Sequence, residues 1–132
     1  MYCSRADLEI YLTKDILEKL TDTVALTADP IIEAVILDST DFIDSYLLQR
    51  YVLPLDPVPR SVKRACTVIS AYYLMPRRVG LENIEESSMI GAQYRATVKW
   101  LENVRAGLAF LEKDNSVVIM KGSKSQNTEW RL

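Results

Sequence analysis

The chain has 132 residues, enough for one domain that buries roughly two thirds of its unfolded surface and too few for two ordinary domains. Hydrophobic residues make up 48%, charged residues 26%, and only 4 positions are glycine and 5 proline, which excludes a disordered, collagen-like or disulfide-scaffold chain. Sixteen Lys and Arg against 18 Asp and Glu leave a net charge of -2, and the chain lacks the basic excess of a domain that lives on nucleic acid.

The complete absence of histidine removes the commonest general base, the usual zinc ligand and every Ser-His or Cys-His nucleophile. Cys3 and Cys66 lie far apart without a CxxC spacing, and no run of 18 apolar residues or signal-peptide core is present. They read as reduced thiols in a cytoplasmic protein with no membrane contact.

Ser4, followed three residues later by Asp7, predicts a capping box that opens a helix with Leu8, Tyr11 and Leu12 on one face. Thr13 caps a second short helix carrying Ile16, Leu17 and Leu20, and Thr21-Asp22-Thr23 breaks the pattern. Asp29-Pro30 reads as an N-cap with proline at the first helical position, where its missing N–H costs nothing. A long helix follows to about Arg50. Its core stripe is Ile31, Ile32, Val35, Ile36, Phe42, Ile43, Tyr46 and Leu47, with Glu33, Asp38, Asp41 and Asp44 on the other side. Leu37 and Leu48 project from that acidic side, nearly above one another, as contacts for a partner subunit would.

Pro54, Pro57 and Pro59 rule out helix between Tyr51 and Pro59 and favour a stiff extended crossing. Pro59 starts the next helix, which runs to about Met75. Val62, Ala65, Cys66, Ile69, Tyr72 and Tyr73 share its inner arc while Lys63 and Arg64 face out, and Pro76 stops it. After a polar loop with Glu82, Glu85 and Glu86, a last helix spans roughly Ser87 to Leu111. Its stripe is Ile90, Tyr94, Val98, Leu101, Val104 and Leu108, with Trp100 at the margin and Gly107 weakening the end. Lys113-Asp114-Asn115 reads as a turn, Ser116 to Met120 as a short β-prone run and Lys121 to Leu132 as a polar tail. The expected architecture is all-α: a small bundle of about five helices over residues 1–111 and an extended C-terminal arm over 112–132.

The triplet Asp38, Asp41 and Asp44 reads as a solvated helix face, because carboxylate metal sites in bundles draw inward acids from several helices. No GxSxG, Walker loop, GxGxxG or SxxK stands in a strand-to-helix context, so neither enzyme, cofactor nor metal is expected. Charge is uneven along the chain: five acids and no base lie from Asp29 to Leu48, against six bases and only Asp56 from Arg50 to Arg78. Either these are adjacent solvated faces of a monomer, or one subunit's acidic helix meets its neighbour's basic one. On the second reading Leu37, Asp38, Asp41, Asp44 and Leu48 line one lateral face, and Arg60, Lys63, Arg64, Arg77 and Arg78 the opposite one. The apolar run Val117, Val118, Ile119 and Met120, with Trp130 beyond it, either folds back as an edge hairpin or docks on another chain by adding a strand.

The stretches Met1-Tyr2-Cys3-Ser4-Arg5-Ala6-Asp7-Leu8, Leu20-Thr21-Asp22, Ile43-Asp44-Ser45-Tyr46-Leu47, Arg50-Tyr51-Val52-Leu53-Pro54-Leu55, Val58-Pro59 and Trp100-Leu101-Glu102-Asn103-Val104 together resemble a family of Mu-like prophage structural proteins. The resemblance covers about Met1 to Leu111 and is most specific from Ile43 to Leu55. Gln49 stands where that family often has glycine. The family is similar to the small helical head-tail connectors, also called adaptor or head-completion proteins, of long-tailed phages. The resemblance implies a homo-oligomeric ring of about twelve copies with closed symmetry, attached beneath the portal protein in the virion neck. It further implies contact with a stopper or tail-terminator ring, double-stranded DNA passing through the centre, and no enzymatic activity or cofactor. The competing expectation is a phage-encoded DNA-binding regulator using the basic helix at 59–76.

Overall fold

A computed structural model describes residues 1–12, 25–75 and 84–112 and, except at 25–29 and 84–88, their side chains. Among these residues the fold is all-α, with α1 (Arg5–Leu12), α2 (Ala25–Leu47), α3 (Arg60–Leu74) and α4 (Ile84–Ala106) and no strand. The expected short helix from Thr13 to Leu20, Arg77 and Arg78, and the arm with Val117, Val118, Ile119, Met120 and Trp130 lie outside the described residues.

The capping box forms as its spacing dictates: the Ser4 N–H donates to Asp7 Oδ2 at 2.9 Å, and the Asp7 N–H reaches Ser4 Oγ at 3.4 Å. Leu8 and Leu12 of α1 are buried against α3 and α2. The start of α2 departs from the expectation. The helix extends back to Ala25 and takes Pro30 inside it, forfeiting one backbone hydrogen bond that a proline nitrogen cannot make. Its core stripe is as the periodicity requires, with Ile32, Ile36, Ile43 and Leu47 fully buried.

The central helix, α3, packs on α1, α2 and α4. Every residue from Ala65 to Ala71 is buried, because a run rich in small side chains lets three neighbours approach from different sides. The polar groups drawn inward are paired, as burial demands. Ser70 Oγ donates to Ser39 Oγ at 2.8 Å, Ser39 Oγ donates to the Val35 carbonyl at 2.9 Å, and the Tyr2 N–H donates to Thr40 Oγ1 at 3.1 Å. Tyr72 does not lie in the inner arc. It is exposed and stacks flat on Tyr94 of α4, centroids 3.9 Å apart. Tyr73 instead turns inward edge-on to Phe42, and burial pushes its phenol up to about 12.

Gly107 ends α4 rather than merely weakening it. At φ +85° it closes the helix with two bonds, Leu108 N–H to the Asn103 carbonyl at 2.8 Å and Gly107 N–H to the Val104 carbonyl at 3.1 Å. Leu108 thereby falls outside the core stripe and is 78% exposed. Leu111 is buried again, and its N–H donates to the Tyr51 hydroxyl at 3.1 Å. Glu112 Oε1 accepts the Ser61 N–H at 2.7 Å, so the chain stays on the body through residue 112.

Candidate subunit interface

The outer face of α2 carries Glu33, Leu37, Asp38 and Asp41, and Leu48 directly follows its last residue; all are exposed, the two leucines at 48% and 56%. Helical spacing sets Leu37, Asp41, Ser45 and Leu48 in one row. Asp44 does not belong with them. It is half-buried and accepts a hydrogen bond from the Tyr2 hydroxyl. Burial raises its carboxyl above the usual range, the charge of Asp41 adds to that, and the Tyr2 hydrogen bond opposes it. The acidic face is therefore Glu33, Asp38 and Asp41, and the triplet read from the sequence as one solvated row is split.

Arg60, Lys63 and Arg64 are exposed together on the first turns of α3. They border a cleft of about 520 Å³ whose other wall is Asp7, Ile10 and Tyr11 of α1, with Gln93 contributed by α4. A second cleft of about 290 Å³ shares Arg64, Val68 and Gln93 and continues to Ala96 and Trp100. The two make one groove among α1, α3 and α4. Tyr11 donates its hydroxyl to Gln93 Oε1 and ties the walls together. Lys63 Nζ lies 3.8 Å from Asp7 Oδ1, a loose and solvated pair, while Arg60 and Arg64 form no ion pair among the described residues.

The sequence reading assigned only the three bases of this groove to an interface and missed its other members, of which Ile10 is the most exposed large apolar residue, at 85%. Its signal was the same as that of Leu37 and Leu48, a large apolar residue off the inner face of an amphipathic helix. Of the ten residues assigned to lateral faces, the structure keeps Leu37, Asp38, Asp41 and Leu48 on one surface. It gathers Arg60, Lys63 and Arg64 on another, and turns Asp44 inward.

The two cysteines, 63 positions apart, meet in the core with their Sγ atoms 2.9 Å apart as free thiols. Cys3 donates to Cys66, and this bond together with burial holds the Cys3 thiol protonated. Cys66, accepting from Cys3, is the easier of the two to ionise. The contact fastens the N-terminal segment to α3.

These flanks and the helical body carry matches to proteins of Mu-like phages, which makes this a phage protein. Residues 2–126 match the family described as Bacteriophage Mu, Gp36, and the chain belongs to that family. The match reaches past Leu111, where the resemblance read from the sequence stops, and includes most of the arm. Gene product J of Escherichia phage Mu is 42% identical over 79 residues, 60% of this chain and 51% of that protein, so the aligned stretch spans about half of that relative. The Mu-like prophage FluMu protein gp36 of Haemophilus influenzae is 30% identical over 96% of this chain and 89% of that protein. No described helix is long and apolar enough to cross a membrane.

Proposed function

We propose that the chain is a structural virion protein, a head-tail connector whose copies form a ring between the portal and the stopper or tail-terminator ring, with double-stranded DNA passing through the centre. The observation that carries this reading is a packed helical body with two unlike flanks of opposite charge, the acidic outer row of α2 and the basic groove beside α3. Two different complementary patches on one body join head to tail, and such contacts close into rings when the rotation permits. A net charge of -2 suits a lumen through which DNA slides without being gripped.

The regulator reading fares worse on the same geometry. A recognition helix must project far enough to enter a major groove, whereas α3 is enclosed from Ala65 to Ala71 and exposes its bases only in the first turns.

Disrupting the coding sequence in the phage tests the proposal. The expected result is filled heads and free tails that fail to join. Normal yields of complete tailed particles would overturn it.

A further inference from the structure

The outer row of α2 and the groove beside α3 cannot meet within one chain. Cys66, Ser70 and Tyr73 of α3 reach α2, at Thr40, Ser39 and Phe42. Arg64 and Val68, which line the groove, stand on the other side of that helix. Two copies, placed head to tail, bring the surfaces together.

They match in chemistry. The groove offers the apolar side chains of Ile10 and Trp100 above a buried floor that includes Val68, and a rim of two arginines, Arg60 and Arg64, that form no ion pair among the described residues. The α2 row offers two exposed leucines three turns apart with Asp38 and Asp41 beside them. An amphipathic helix lying in a groove through apolar anchors at helical spacing is a recurring mode of recognition. The chain's own arm is the poorer occupant. From Lys113 onward it carries four bases, Lys113, Lys121, Lys124 and Arg131, against Asp114 and Glu129, a balance that a basic rim repels.

We infer that the groove among α1, α3 and α4 receives the outer face of α2 from a second copy of this chain, with Leu37 and Leu48 on Ile10 and Trp100, and Asp38 and Asp41 against Arg60 and Arg64. The inference rests on the ring reading for its setting and deepens it, since each copy then leaves one row and one groove free for the next.

The test places the photo-crosslinking residue p-benzoylphenylalanine at position 10 of the full chain, in cells producing the complete phage. The expected product has twice the mass of the chain, and its crosslinked peptide lies within residues 31–48, on α2 and the residue that follows it. Arg60→Glu with Arg64→Glu lowers the yield about tenfold or more, and adding Asp38→Arg with Asp41→Arg restores it. Capture of the arm, of a different protein, or of no second copy would overturn the inference, as would a yield indifferent to the charge exchange. Absence of the chain from purified particles, with the α2 crosslink intact, would remove only the connector reading.

Discussion

The Tyr2 hydroxyl donates to the carboxylate of Asp44 and at the same time accepts the Leu55 N–H at 3.2 Å. One phenol thus ties the N-terminal segment to the last turns of α2 and to the proline-rich crossing toward α3. Those three pieces hold the acidic and basic flanks in a fixed relation, so this small polar junction underlies the geometry of the two surfaces.

Tyr2→Phe leaves the Leu55 N–H and a half-buried Asp44 without their partner. The expected loss of stability is about 1–3 kcal/mol at neutral pH, measured by denaturant unfolding. Burial and the Asp44 hydrogen bond also raise the Tyr2 phenol above its ordinary value. The unfolded chain then loses the phenolic proton first, so this stabilisation is complete below pH about 10 and declines above it. The variant should show a shallower alkaline decline than the parent.

Asp44→Asn tests the same junction on the acid side. The Asp44 carboxyl is raised in the folded chain, chiefly by burial. The native state therefore takes up the proton before the unfolded one as pH falls, and stability contributed at this site grows from neutral pH toward the ordinary carboxylate value of about 3.9. Asparagine still accepts the Tyr2 hydrogen bond and has nothing to titrate. Urea unfolding across that window should give a flatter profile for the variant, without loss of stability at pH 7.

Gly107→Ala should destabilise by about 1–2 kcal/mol, because the position is held at φ +85° and an added Cβ would also stand 3.2 Å from Arg50 Nη1. Gly107→Asn, a residue that tolerates the left-handed region better, should cost less. The order of the two melting temperatures checks the conformational origin of the effect.

Local rules carried much of the fold. Ser4 and Asp7 marked the start of α1, and the stripes of α2 and α3 picked out Ile36, Ile43, Val62 and Ile69, all buried. Pro30 misled because a proline one turn into a helix costs a single backbone bond, which the rest of α2 readily offsets. Tyr72 misled because a stacking partner on another helix holds it at the surface, and Leu108 because the stripe was extended past the glycine that ends the helix. The flanks were legible as charge, but not their composition. Asp44 is claimed by a tyrosine 42 residues away, and Ile10 becomes part of a groove only when α3, with Gln93 of α4, is laid beside α1. The Cys3–Cys66 contact is equally nonlocal and left no spacing to read.

The proposed place of this protein is between head and tail. Gold-labelled antibody against the full chain, imaged on purified intact virions and on separated heads and tails, tests it most directly. Label confined to the neck, at the portal vertex of heads that carry the connector, is the expected result. Label along the tail, over the capsid, or absent from virions that contain every other neck component would contradict it.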